Sequence, residues 1–272
     1  MSTVGIIANP AAGKDIRRLI SQSRFISNQE KINIVRRVLV GLGSMGVDKV
    51  ILMPDQSNLA RASIDDLQTD IEFSFLDMPI FNAEIDTTRA ASMMEETGVK
   101  AIVSLGGDGT NRAITKGTNQ IPLMPISTGT NNVFPFMIEG TLAGIATGCV
   151  AMNLVDSDTY APRTKLLKVH GKNVQPDLAL VDLAVSSERF VGARAIWDMS
   201  SVMELYLAMA NPTSIGLSAI GGMLHPISRT HPNGLHLNFE GTDKNLKVLA
   251  PVTPGNLTEV SISQFEIIDP HS

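Results

Sequence analysis

The chain has 272 residues, 43% of them hydrophobic and 18% charged, with a formal net charge of −5. That supplies core material for one large or two ordinary folded domains and excludes a disordered chain. A negative balance without any Lys/Arg block argues against nucleic acid or an anionic membrane as the main partner, and two Tyr and one Trp leave little for base stacking.

The chain opens directly into an apolar run, Val4–Ala8, with no basic segment leading into a signal core, so a cytoplasmic location is expected. The run reads as a buried strand and ends in Asn9-Pro10-Ala11-Ala12-Gly13-Lys14. Pro10 fixes the entry of that loop and Gly13 frees its exit. Asn9 offers an amide to an adenine, a ribose or the loop itself, and Lys14 has the reach for a phosphate. The spacing of a P-loop is absent. Asn28–Leu42 follows as an amphipathic helix, with Ile32, Val35, Leu39 and Leu42 on one face and Lys31, Arg36 and Arg37 near the other. Strands are predicted at Lys49–Met53, Ile71–Leu76, Lys100–Leu105 and Ile121–Ile126, and a helix over Glu84–Thr97 stopped by Gly98. Alternation of this kind predicts an α/β domain with a parallel sheet and helices on both faces.

Two further loops follow predicted strands. Gly106-Gly107-Asp108-Gly109-Thr110 sets three glycines and one carboxylate in a sharp turn, which exposes backbone N–H groups to an anion. Asp108 is then placed to take a proton or hold a metal. A tight turn with an Asp helix cap has the same composition. Ser127-Thr128-Gly129-Thr130-Asn131-Asn132 carries hydroxyls and amides without charge, suited to phosphates or ribose hydroxyls and equally to capping a helix. All three loops should lie on one edge of the sheet, where open α/β sheets bind ligands.

Val133 to Val155 is long enough to span a membrane, but it contains Pro135 and Glu139, and Gly140, Gly144 and Gly148 lie four apart. It reads as a soluble helix packed closely on a sheet. Cys149 is the only cysteine, which excludes an intrachain disulfide or a Cys-based zinc site, and its setting predicts a core position. Asp156-Ser157-Asp158-Thr159 with Pro162 reads as a linker. It divides the chain into an α/β domain over 1–155 and a β-rich domain over 156–272. In the second, strands are predicted at Lys165–His170, Asp177–Ser187, Thr213–Ile220, Leu235–Phe239 and Glu259–Ile267, with one helix at Ser201–Ala210. His170, His225, His231, His236 and His271 show no ligand spacing, so no metal ligand is assigned. The thirteen methionines read as core filling. Arg112 is placed either to meet a phosphate or to lie exposed on a helix, and Arg194, beside Trp197-Asp198, either to clamp a phosphate or, the preferred reading, to pair with Asp198.

Asn-Pro-x-x-Gly, Gly-Gly-Asp-Gly-Thr and Gly-Thr-x-Asn, in this order, resemble the superfamily of NAD, diacylglycerol and sphingosine kinases. Asn9–Arg17, Ala179–Val185 and Phe190–Trp197 resemble in particular its ATP-NAD kinase-like branch, which includes acetoin-catabolism protein X (AcoX). The resemblance implies a Rossmann-like domain, a C-terminal β-sandwich and an active site in the cleft between them. It implies phosphoryl transfer from ATP with Mg2+ to a ribose hydroxyl, with NAD the candidate acceptor and NADP the product. Asp108 would be the general base, Gly106, Gly107, Gly109 and Thr110 would hold phosphates, and Asn9 and Lys14 would face the donor nucleotide. Thr128, Gly129, Thr130, Asn131 and Asp182 would complete the nucleotide site. A homo-oligomer is expected, with no nucleic-acid or membrane partner.

The chain departs from NAD kinases at Val181-Asp182, where those enzymes carry an amide before the acid, and in lacking their Leu-Asp-Gly-Glu-like stretch near the C-terminus. The third loop is nearer to the lipid-kinase pattern. A catalytically silent nucleotide-binding protein and a lipid or sphingoid-base kinase therefore stay open as alternatives.

Overall fold

The computed structural model describes residues 1–13, 26–172, 174–188, 199–241 and 246–270. They divide into two compact units. The first comprises residues 1–13, 26–129 and 135–162, and the second comprises 130–134 and the described residues after 162.

The first unit is a five-stranded parallel sheet in the order β3-β2-β1-β4-β5, formed by β1 (Thr3–Ala8), β2 (Lys49–Leu52), β3 (Glu72–Phe75), β4 (Ala101–Gly106) and β5 (Leu123–Ser127). Its helices are α1 (Asn28–Ser44), α2 (Leu59–Ile64), α3 (Glu84–Glu96), α4 (Asp108–Gly117), α5 (Gly140–Ala151) and the short α6 (Ser157–Tyr160). The central strands are apolar almost throughout because both faces are covered. On one face Val4, Ile6 and Ala8 pack with Val35, Val38 and Leu39 of α1 and Ala143 of α5. On the other, Ile7 and Ile102 pack with Ala90, Ala91 and Met94 of α3 and Ile114 of α4. The alternation along β1 is the two-residue period of a strand divided between two cores.

The glycines of α5 pack on α1, rather than on the sheet as the sequence suggested. A Cβ on Gly144 would sit 2.2 Å from the Val38 carbonyl oxygen, and one on Gly41 of α1 would sit 2.3 Å from that of Thr141. The small residues let the two backbones touch. Among the described residues, no helix is long and apolar enough to cross a membrane. Cys149, near the end of α5, is half-buried rather than a core residue. Lys31 also departs from its expected place: it is fully buried.

The second unit is β-rich. An antiparallel sheet runs β13-β10-β9-β8, from β8 (Asp182–Ser186), β9 (Val202–Leu207), β10 (Gly234–Asn238) and β13 (Gln264–Ile268). Two hairpins join it, β6 (Leu167–Gly171) with β7 (Val174–Ala179) and β11 (Leu246–Thr253) with β12 (Asn256–Ile262). One helix, α7 (Leu217–Leu224), packs against β9 and β11. The core is Leu205, Leu207, Leu235 and Leu237 of the sheet, Ile220 of α7, and Ala250, Val252, Val260 and Ile262 of the second hairpin.

Several predicted elements are corrected here. Ser201–Ala210 contains β9, not a helix. Val202, Leu205 and Leu207 face the core while Glu204 and Tyr206 are only half-buried, so cross-strand burial overrides the helix propensity of Leu, Met and Ala. Thr213–Ile220 is no strand. Asn211 Oδ1 accepts from the Thr213 amide at 3.0 Å in a turn, and Gly216 at φ 109° leads into α7. Asp177–Ser187 divides at buried Leu180 and Val181 into β7 and β8, which belong to different sheets. Glu259–Ile267 likewise divides between β12 and β13, and β11 was not foreseen.

Candidate functional site: three loops at the carboxyl edge of the parallel sheet

β1, β4 and β5 are neighbours in the sheet and run the same way, so the loops that leave them emerge side by side at its carboxyl edge. Direct bonds join them. Asn9 Nδ2 donates to Thr110 Oγ1 at 2.9 Å, and the Thr128 amide donates to the Gly106 carbonyl at 3.2 Å. Gly13, at φ 72°, lies so close to the Thr128 carbonyl that a Cβ would come within 2.4 Å of it. A left-handed φ and a close backbone approach coincide there, so only glycine fits without strain.

Each loop also has an internal frame. Asn9 Oδ1 accepts from the Ala11 amide at 2.9 Å, and the Asn9 amide donates to Leu105 O at 3.0 Å. The Asn9 side chain thus builds the loop and links it to the second one. The Lys31 ammonium donates to Pro10 O at 2.7 Å and to Asn9 O at 3.3 Å. A buried ammonium is tolerated only when several acceptors surround it. Lys31 stands on the buried stripe of α1, four residues before Val35, and not on its polar side; the loop carbonyls supply the acceptors that let an ammonium sit there.

The glycine-rich loop turns straight into α4. Asp108 is the first residue of the helix and Gly107 its N-cap. An acid there is favoured by the helix dipole, and the first-turn N–H groups have no acceptor within the helix. Fully buried Asn111 locks the turn: its Oδ1 accepts from Ser104 Oγ at 2.6 Å and its Nδ2 donates to Gly107 O at 2.8 Å. A Cβ on Gly106 would sit 2.5 Å from Thr110 Cβ, so this glycine admits the threonine over the strand end. Among the described residues, nothing lies within 4 Å of where a Cβ on Gly109 would be. Arg112 donates to Glu84 Oε1 at 3.0 Å, and Lys116 reaches the same oxygen at 3.1 Å. This pairing favours a structural role for Arg112. The sequence offered no sign of the Asn111 and Lys31 frames; Asn111 had only its place directly after the motif.

The third loop holds unmet polar groups. Thr128 is fully buried, and among the described residues its Oγ1 has no hydrogen-bond partner. Asn131, which groups with the second unit, is 8% exposed, and among the described residues neither atom of its amide has a partner. An unpaired buried polar group costs about 1–3 kcal/mol, which makes these groups candidates for bonds to water or to a ligand. Neutral donors and acceptors fit phosphate or ribose oxygens. Among the described residues no cluster of three or more His, Cys, Asp or Glu could hold a metal ion. Mg2+ that arrives on phosphates and keeps most of its waters needs no such cluster, and Asp108 is the only carboxylate in the three loops.

In the second unit, Asp182 opens edge strand β8 opposite buried Leu207. Val181 before it is buried, and its carbonyl accepts from the Ala208 amide at 2.8 Å. On the sheet formed by β8, β9, β10 and β13, the Tyr206 hydroxyl donates to Glu204 Oε2 at 2.5 Å. The His236 ring stacks on Tyr206 and lies 3.1 Å from Glu204 Oε2 and 2.9 Å from Glu266 Oε1. The bond to the Glu204 carboxylate pushes the Tyr206 hydroxyl up to about 12, and the same bond holds Glu204 below its ordinary value. Of the other sequence-predicted residues, Lys14, Arg194, Trp197, Asp198 and His271 lie outside the described residues.

Residues 4–153 match the family model of the ATP-NAD kinase N-terminal domain, and residues 165–272 match that of the acetoin catabolism protein X C-terminal domain. The chain is 36% identical over 279 aligned positions to "Acetoin catabolism protein X" of Cupriavidus necator, an alignment that covers 98% of this chain and 77% of that protein.

Proposed function

Because the chain belongs to the acetoin catabolism protein X family and carries an ATP-NAD kinase N-terminal domain, we propose that it is a nucleotide-dependent kinase of small molecules. In this reading residues 1–155 bind the nucleotide and residues 156–272 contribute to the acceptor site. The acceptor is an alcohol, in the first instance the ribose hydroxyl of NAD. The observation that supports the reading is the bonding of the three loops to one another, with Asp108 at the head of α4 and, among the described residues, no partner for the buried Thr128 hydroxyl.

ATP with Mg2+ supplies the transferable phosphoryl group and the charge neutralisation that such transfer requires. The chain's own residues position and exchange a proton. Asp108, at the head of α4, accepts the proton of the attacking hydroxyl. Backbone N–H groups of Gly107, Asp108 and Gly109 face an anion, and the open space over Gly109 lets phosphate oxygens approach the backbone. Thr110, whose Oγ1 already accepts from Asn9, keeps its hydroxyl proton to donate. Thr128, Gly129, Thr130 and Asn131 supply neutral hydrogen bonds to the nucleotide, Asn9 holds the loop around it, Lys14 reaches a phosphate, and Asp182 accepts from an acceptor hydroxyl.

Buried Val181 favours a second reading, in which the chain binds a nucleotide without turnover. A valine cannot supply the amide that NAD kinases use at this position. Incubation with ATP, Mg2+, NAD and a panel of other alcohols, followed by product analysis, separates the two. Phosphorylated product supports the kinase. Calorimetric nucleotide binding without transfer to any acceptor supports the silent form.

A further inference from the structure

Arg229 lies far from the three motifs in sequence, in the irregular turn between residues 226 and 233, yet it grips the end of the third loop. Its Nη2 donates to Phe134 O at 2.8 Å, and its guanidinium carbon stands 5.4 Å from the centre of the Phe134 ring. Phe134 is 7% exposed. A planar guanidinium can bond a carbonyl and cover a ring together, which a compact ammonium does poorly.

The turn that carries Arg229 is itself held on both sides. Lys165 Nζ donates to Ser228 O at 2.7 Å and to His231 O at 2.5 Å, the carbonyls that bracket Arg229 and Thr230. The Ser228 hydroxyl accepts from the His231 amide at 3.2 Å. Ile227 and Ala210 exchange two backbone bonds at 2.9 and 3.0 Å, which fix the start of the turn. Three residues before Phe134 stands Asn131, with both amide atoms buried and, among the described residues, unbonded. A loop free to relax would turn such an amide toward an acceptor or toward water, since a buried amide left unmet is costly. Something must hold the loop against that relaxation.

We propose that Arg229, braced by Lys165, is a positioning residue that keeps the Asn131 amide unmet and aimed for a nucleotide. The assignment of a nucleotide to Asn131 rests on the function proposed above; the mechanical hold on Asn131 does not. Arg229 acts through Phe134 and the loop backbone and takes no part in the reaction itself.

The test uses the full chain and two variants, Arg229→Lys and Arg229→Gln, so that one folded variant suffices. The side-chain amide signals of Asn131 are identified in a 15N–1H NMR spectrum by their absence from Asn131→Ala protein. Both variants are expected to shift or broaden these signals and to speed their exchange with solvent. Affinity for Mg-ATP is expected to fall about tenfold, the equivalent of one ordinary hydrogen bond. Asn131→Ala is expected to lose about as much, and the double variant no more than Asn131→Ala alone, because both changes act through one amide. Unchanged Asn131 signals, or fully additive losses of affinity, would overturn the proposal. Perturbed signals in a chain that binds no Mg-ATP would uphold the hold on Asn131 and sink the nucleotide reading instead.

Discussion

Asn9 Nδ2 donates to Thr110 Oγ1 at 2.9 Å across 101 positions of sequence, and so ties the loop after β1 to the first turn of α4. The bond joins two motifs that would otherwise be related only by the pairing of their strands. Asn9→Ala removes it together with the bond to the Ala11 amide. The expected result is a loss of about 1–2 kcal/mol in urea denaturation and a rise in KM for ATP larger than the fall in kcat. A kcat loss without any change in KM would place Asn9 in the chemistry instead.

Gly13 and Gly109 make opposite predictions. Gly13→Ala forces a side chain into a left-handed φ and onto the Thr128 carbonyl, so a loss of about 1–3 kcal/mol is expected in chemical denaturation. Gly109→Ala meets open space and lies in a helix, where alanine is favoured, so stability should be unchanged or slightly raised. Its Mg-ATP affinity should nonetheless fall, because the added methyl occupies the approach to the backbone. Tight binding by Gly109→Ala would show that no ligand comes close there.

Tyr206 and Glu204 couple stability to pH. Glu204 is held below its ordinary value of 4.5, so the bond stabilises the fold above that pH and the benefit is lost as pH falls through the depressed folded value. Tyr206 is raised from 10.0 to about 12, so its share is present below 10 and lost as pH rises through about 12. Tyr206→Phe keeps the ring over His236 and removes only the hydroxyl. It should be less stable than the unmodified protein near pH 7, and the two should converge in acid below the range of Glu204. A stability gap that stays constant into strong acid would contradict the coupling.

Much of the first unit was legible because its strands are short apolar runs between glycine, proline and polar turns. A parallel sheet covered on both faces leaves that signature. The second unit was harder to read. β9 is built from Val202-Met203-Glu204-Leu205-Tyr206-Leu207, residues common in helices, and only their burial against Leu235 and Leu237 makes the two-residue period visible. The three loops were legible as motifs, whereas the groups that hold them were not. Lys31 reads as a surface lysine until the loop carbonyls fold over it, and Arg229 lies 95 positions from the carbonyl it holds. Contacts of this range depend on tertiary packing, which no local pattern records.

Product formation by Asp108→Asn protein, measured beside Mg-ATP binding, tests the central claim most directly. The substitution keeps the size of the side chain and removes its charge and basicity. Mg-ATP binding within a few-fold of the unmodified protein is expected, with transfer to the acceptor reduced on the order of 10²-fold or more, as for loss of a general base. Transfer at the unmodified rate would contradict the assignment of Asp108 and, with it, the reading of the three loops as a kinase site.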